Sequence, residues 1–138
     1  MDLNNFAECP DKQEGGSPLY LDDGSIFVKR IHTAEYNKQR ESIRNNIYGF
    51  SPNEIDENLI TAHWLAEHGV TNWDGIFDGN KELEFTRKNA RAVFLNPNYK
   101  LSLNALLINH AANYANYLFD EVKEDIEQVK KNCPTDQR

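Results

Sequence analysis

Apolar residues near the end of this chain recur with a regularity that no other stretch matches. Leu101, Ala105, Ile108, Ala112, Ala115, Phe119, Val122, Ile126 and Val129 fall at strict 4-3-4-3 spacing, the period of a helix that packs along one seam. The pattern predicts one long helix from Pro97 or Asn98 to about Lys131. Its two halves differ in character. In the first, a second apolar row of Leu107, Ala111, Tyr114 and Leu118 widens the face to that of a helix in a globular core. Beyond Phe119 the second row stops, and Val122, Ile126 and Val129 continue alone among charged residues, as on a helix that projects and meets one partner.

Upstream, the polar and apolar alternation predicts smaller elements. Leu19-Tyr20-Leu21 and Ser25 to Arg30 flank Asp22-Asp23-Gly24, a hairpin signal. Thr33 is an N-cap candidate for a helix from Ala34 to about Asn46 whose apolar face, Tyr36, Ile43 and Ile47, is thin. Ser51-Pro52-Asn53-Glu54 has the form of a capping box with proline at the first helical position, and Gly69 stands where a left-handed residue would close that helix. A second hairpin is expected from Trp73 to Phe85 around Asp78-Gly79-Asn80. Thr86 then caps a helix from Arg87 to Leu95, which Asn96-Pro97 ends. The fold class is α+β: a mainly α-helical single domain over residues 18–132, with two small β-hairpins and a long C-terminal helix. Residues 1–17 and 133–138 are polar and read as a flexible arm and a flexible tail.

Composition narrows the function classes. With 138 residues, one domain can bury a sizeable core. The formal net charge of −7 argues against nucleic acid, because affinity for phosphates comes from lysine and arginine. Cys9 and Cys133 lie in the two polar ends and are expected as reduced thiols. The N-terminal residues lack the pattern of a signal peptide, and no run approaches transmembrane length, so a cytoplasmic protein without a membrane partner is expected.

Reactive chemistry is sparse. His63 and His68 are five residues apart, which on a helix leaves them roughly 140° apart around the axis, whereas helical metal pairs use i, i+3 or i, i+4. His63 with Glu67 is one pair, and an ordinary surface contact is the simpler reading. His110, beside the apolar face, suits a hydrogen-bonded core position. The Asp-Gly pairs lack the ligand run and terminal glutamate of a calcium loop and mark turns. No phosphate loop, Gly-x-Ser-x-Gly elbow or cysteine paired with a base is visible. The expectation is no catalytic residue, no metal and no cofactor.

Some segments together resemble a known family. The order is hairpin, helices, Asn72-Trp73-Asp74-Gly75-Ile76, Asp78-Gly79, Phe85-Thr86 with Asn89 opening a helix, then Asn96-Pro97 and a long helix holding Phe119 and ending in Lys130-Lys131-Asn132. Over about residues 18–132 this resembles the tail assembly chaperones of long-tailed bacteriophages and prophages. Those proteins repeat a Trp-x-Gly-Val segment, an Asp-Gly-Lys turn and a Thr-x-x-Asn helix start; here Ile76 replaces the valine and Asn80 precedes Lys81. The resemblance implies a non-enzymatic factor that binds the tape-measure protein and is displaced by tail tube protein, with self-association into a homo-oligomer as a further option. It makes Trp73, Asp74, Gly75, Ile76, Asp78, Gly79, Phe85, Thr86, Asn89 and Pro97 family-motif positions of structural type. Phe119, Val122, Ile126 and Val129 are the expected partner-binding residues. A structural virion protein, as a connector or minor tail component, is the alternative, and an uncharacterised small enzyme a more distant one.

Overall fold

The computed structural model describes residues 9–50 and 53–118. Strand β1 (Ser17–Leu21) and strand β2 (Gly24–Val28) form the expected first hairpin, with Leu21 paired to Gly24 across a two-residue loop. The third strand of this sheet is β3 (Val70–Asp74), antiparallel to β2, so the order is β1-β2-β3. A register shift between Phe27 and Val28 sets Val28 opposite Val70, and Ile26 and Val28 both point into the core.

A short helix α1 (Pro10–Gly15) precedes the sheet. The stretch expected as a loose arm therefore contains a helix over residues 10–15 and ends by giving Ser17, buried, to β1. Polar composition there is offset by contacts across the chain: the Cys9 N–H donates to the Tyr117 carbonyl at 2.8 Å and Lys12 Nζ to the Leu118 carbonyl at 2.8 Å.

Helix α2 (Ala34–Tyr48) starts at its expected cap, with Thr33 Oγ1 accepting from the Tyr36 N–H at 3.0 Å. Its thin apolar face is visible in the packing: no α2 residue is buried, and Tyr36 and Ile43 lie against the core from outside. Helix α3 (Glu57–Trp64) begins later than the sequence suggests. Residues 53–56 are not helical, and Asp56, not a residue of the Ser51-Pro52-Asn53-Glu54 box, is the cap; its carboxylate accepts from the Asn58 and Leu59 N–H groups at 3.0 and 3.3 Å. Aspartate and serine are equivalent acceptors at such a position, so local chemistry alone does not choose between them. Ser51 and Pro52 lie outside the described residues.

A wider π turn, Leu65–Gly69, continues α3 and leads directly into β3. Gly69 does not close the helix in the left-handed region as expected. It is required because a side chain there would overlap the Trp64 ring. The second hairpin also differs from expectation. Only β4 (Phe77–Asp78) and β5 (Lys81–Glu82) pair around Gly79-Asn80, while Trp73 belongs to the first sheet, opposite Ile26.

Helix α4 (Arg87–Phe94) has the expected Thr86 cap, which accepts from the Asn89 N–H at 3.0 Å. The long final helix is interrupted. Pro97–Tyr99 is a 3-10 turn, helix α5 runs only over Leu103–Ala112, and a second 3-10 turn spans Tyr114–Tyr117. The break is at Asn113, whose backbone is extended (φ −87°, ψ 103°) and whose side chain accepts from the Ala115 N–H at 3.2 Å. Asparagine competes with the helix for its own backbone in this way. Residues 119–131 of the expected helix lie outside the described residues.

The core packs one face of the β1-β2-β3 sheet against α3, the π turn, α4 and α5. Trp64, Leu65, Trp73, Phe94 and Leu107 lie in one cluster with Ile26, Val28 and Val70. The fold is α+β, mainly helical, with two small antiparallel sheets.

Candidate functional site

The family-motif positions are placed where they hold the fold. Trp73 is buried, donates from Nε1 to the Leu83 carbonyl at 2.8 Å, and meets Phe85 and Phe94 edge-on at centroid distances of 5.0 and 6.0 Å. Gly75 and Gly79 have φ of 66° and 62°, which a side chain resists, so both turns need glycine. Ile76 and Phe85 pack against the core, and Asp74 and Asp78 are exposed. Asn89 ties the start of α4 to the segment after β5, its amide donating to the Glu84 carbonyl at 2.8 Å. Pro97 opens the 3-10 turn.

Two arginines that the sequence reading passed over fasten α4 to the π turn. Arg87 Nη1 donates to the Ala66 and Val70 carbonyls at 3.0 and 2.7 Å, and its guanidinium lies 5.4 Å from the Phe85 ring centre. Arg91 makes a two-pronged pair with Glu67, at 2.5 Å from Nε and 3.1 Å from Nη2. This hydrogen bond holds the Glu67 carboxyl below its ordinary range, with burial opposing. Glu67 is thus committed to Arg91 rather than to His63. Carbonyls left without intrahelical partners by the π turn are the available signal for Arg87, but a π turn has no sequence signature of its own.

The arrangement nearest to catalytic form joins β1 to the end of α5. His110 Nε2 lies 3.0 Å from Ser17 Oγ, and His110 Nδ1 lies 3.1 Å from Asn116 Nδ2. Asn116 Nδ2 also donates to the His110 carbonyl at 3.0 Å. A carbonyl only accepts, so the amide nitrogen, not its oxygen, faces this pair of acceptors. With the amide in this orientation Nδ1 faces a donor, an arrangement that favours the tautomer protonated at Nε2. A nucleophile needs the opposite tautomer, with Nε2 free to take the hydroxyl proton. Both Ser17 and Asn116 are buried. The trio joins β1 to the end of α5, and His110 is hydrogen-bonded as expected but half-buried rather than in the core.

Tyr117 supports the same junction. Its hydroxyl donates to the Val28 carbonyl at 2.8 Å, and burial pushes the phenol well above its ordinary range. Among the described residues, no three His, Cys, Asp or Glu side chains converge to hold a metal, and no helix is long and apolar enough to cross a membrane.

Apolar surface is more informative. On α5 the buried positions are Asn104, Leu107 and Ala111. Of the expected seam within the described residues, Leu101 is 81% exposed, Ala105 and Ala112 are exposed, Ile108 is half-buried and only Ala115 is buried. The second row is the one that enters the core, except Tyr114, which is 51% exposed. Near the start of α5, Tyr99 and Leu101 project from a turn that Lys100 ties to Asp56 at 3.8 Å. Asp56 in turn donates its N–H to Tyr48 Oη at 2.8 Å. Ile47 and Phe50, 37% and 96% exposed, flank Tyr48 in the chain, so these contacts link the two segments that carry the exposed apolar side chains. The four expected partner-binding residues, Phe119, Val122, Ile126 and Val129, lie outside the described residues.

The fold and its surfaces define a small α+β protein with a buried aromatic core and several exposed apolar side chains. The model of the YdaY prophage protein family matches residues 28–131, and the chain belongs to that family. It is a prophage protein. No curated protein and no solved structure matches it.

Proposed function

We propose that this prophage protein is a non-enzymatic tail assembly chaperone that binds the tape-measure protein in the host cytoplasm and is displaced as tail tube protein adds. The observation that carries this reading is apolar surface on two segments linked through Tyr48, Asp56 and Lys100: Phe50 and Leu101 stand almost fully in water, and Tyr99 and Ile47 are partly exposed. Four such side chains offer roughly a few hundred Å², below the ~800 Å² per partner of a standard stable interface. A contact of that size is reversible, which suits a factor that covers apolar helical surface and is later released. The order of short motifs that resembles tail assembly chaperones runs through most of the segment matched by the family.

Co-expression with the neighbouring long-coiled tail gene tests the proposal. The native chain is expected to keep that partner soluble and to copurify with it. The Phe50→Glu, Leu101→Glu double variant is expected to lose copurification while its thermal unfolding is unchanged, because both positions are exposed. A partner equally soluble with and without this protein would sink the idea. Recovery of the protein in purified particles would point instead to a structural virion component.

A further inference from the structure

The β4–β5 arm is a hairpin that opens toward its base. At the tip Phe77 pairs with Glu82 and Asp78 with Lys81, and the Leu83 N–H donates to the Ile76 carbonyl at 2.8 Å. Continued in that register, Asp74 would lie beside Phe85. Among the described residues, however, no backbone hydrogen bond joins Asn72–Gly75 to Glu84–Phe85. A cleft of about 450 Å³ lies between the two segments. The buried Trp73 indole, hydrogen-bonded to the Leu83 carbonyl, bridges beneath it. One side chain and one hydrogen bond thus separate the two backbones, a span on the order of two strand spacings, about 10 Å.

Among the described residues β3 pairs only with β2, so the wall it forms is a sheet edge there. Unpaired edges bind extended chain unless they are covered or blunted. Three exposed carboxylates, Asp74, Glu82 and Glu84, stand around the opening. In a chain of net charge −7 they repel acidic segments and attract cationic ones.

We propose that this cleft takes an extended, lysine- or arginine-bearing peptide segment of a partner by strand addition. The peptide backbone pairs with the open edge of β3, and its alternate cationic side chains reach Asp74, Glu82 and Glu84. The inference is independent of the chaperone reading, which rests on the exposed apolar side chains and on helical surface.

A short capped peptide alternating lysine and valine serves as the probe, titrated into the full-length chain with amide chemical shifts and calorimetry as readouts. Shifts are expected at Asn72–Gly75 and Glu82–Phe85. The Glu82→Lys, Glu84→Lys variant, altered only at exposed positions, is expected to bind about tenfold more weakly with an unchanged melting temperature, and to accept a glutamate-valine peptide instead. N-methylation of alternate peptide residues removes the N–H groups that strand addition needs and is expected to cost a similar factor. Equal binding of the methylated peptide, shifts elsewhere, or no binding to the native chain would each overturn the proposal.

Discussion

Gly69 and Tyr117 show how single residues set the geometry between elements. A Cβ at position 69 would enter the Trp64 ring, which is itself 2% exposed and hydrogen-bonded through Nε1 to Gln39 Oε1 at 2.9 Å. The indole cannot step aside without disturbing α2. Gly69→Ala is therefore expected to destabilise the fold by about 1–3 kcal/mol, as overpacking of a filled core does; an unchanged denaturation midpoint would contradict this. Tyr117 gives a pH prediction. Its folded-state value is raised by burial above the ordinary 10.0, so below pH 10 the phenol is neutral in both states and adds no pH dependence. Above pH 10 the unfolded chain loses the proton first, and stability falls as pH rises. Absorbance titration should show a tyrosine that ionises only with unfolding, and Tyr117→Phe should lack that part of the alkaline decline.

At the scale of elements, α5 separates periodicity from burial. Its exposed side carries Leu106, 51% exposed, while the adjacent Leu107 is fully buried. Leu107→Ala is expected to cost about 2–5 kcal/mol, whereas Leu106→Glu should change stability by no more than about 0.5 kcal/mol. Chemical denaturation of the two variants distinguishes the observed face from a core built on the 4-3-4-3 seam, for which Ala105 and Ile108 would be the sensitive positions. The caps tell a complementary story. Thr33 and Thr86 act where the sequence places them, because an N-cap is satisfied by groups two or three residues away. Asp56 takes over from the upstream box through contacts with neighbours: Tyr48 Oη accepts from its N–H and Lys100 lies near its carboxylate.

In the whole molecule both tryptophans belong to one buried cluster, which joins the sheet to α3, α4 and α5. Unfolding followed by tryptophan fluorescence and by far-ultraviolet circular dichroism should therefore give one coincident transition; separated midpoints would mean that sheet and helices come apart independently. The two proposed contact surfaces carry exposed side chains outside this cluster, although Trp73 of the cluster also lines the cleft. One is the exposed apolar surface of Phe50 and Leu101, the other the acidic cleft beside β3, and each can be altered at exposed positions, Phe50 and Leu101 or Glu82 and Glu84, without touching the core.

The opening seam, Leu101 to Val129, is where local pattern and tertiary structure part. From sequence alone came the fold class, the first hairpin, the caps of α2 and α4, the thin face of α2, the stop at Asn96-Pro97, the structural character of the Trp73 and Phe85 region and the hydrogen-bonded role of His110. All of these depend on interactions within a few residues or on simple burial of large apolar groups. Tertiary structure decided which row of α5 is covered, where the last helix breaks, that Trp73 joins the first sheet, that Asp56 is the cap of α3, and that Arg87 and Arg91 lock α4 to the π turn. The reason is physical: a period shows that one side of a helix can be buried, but the buried side is chosen by the surface that meets it, and that surface is assembled from residues far away in the chain.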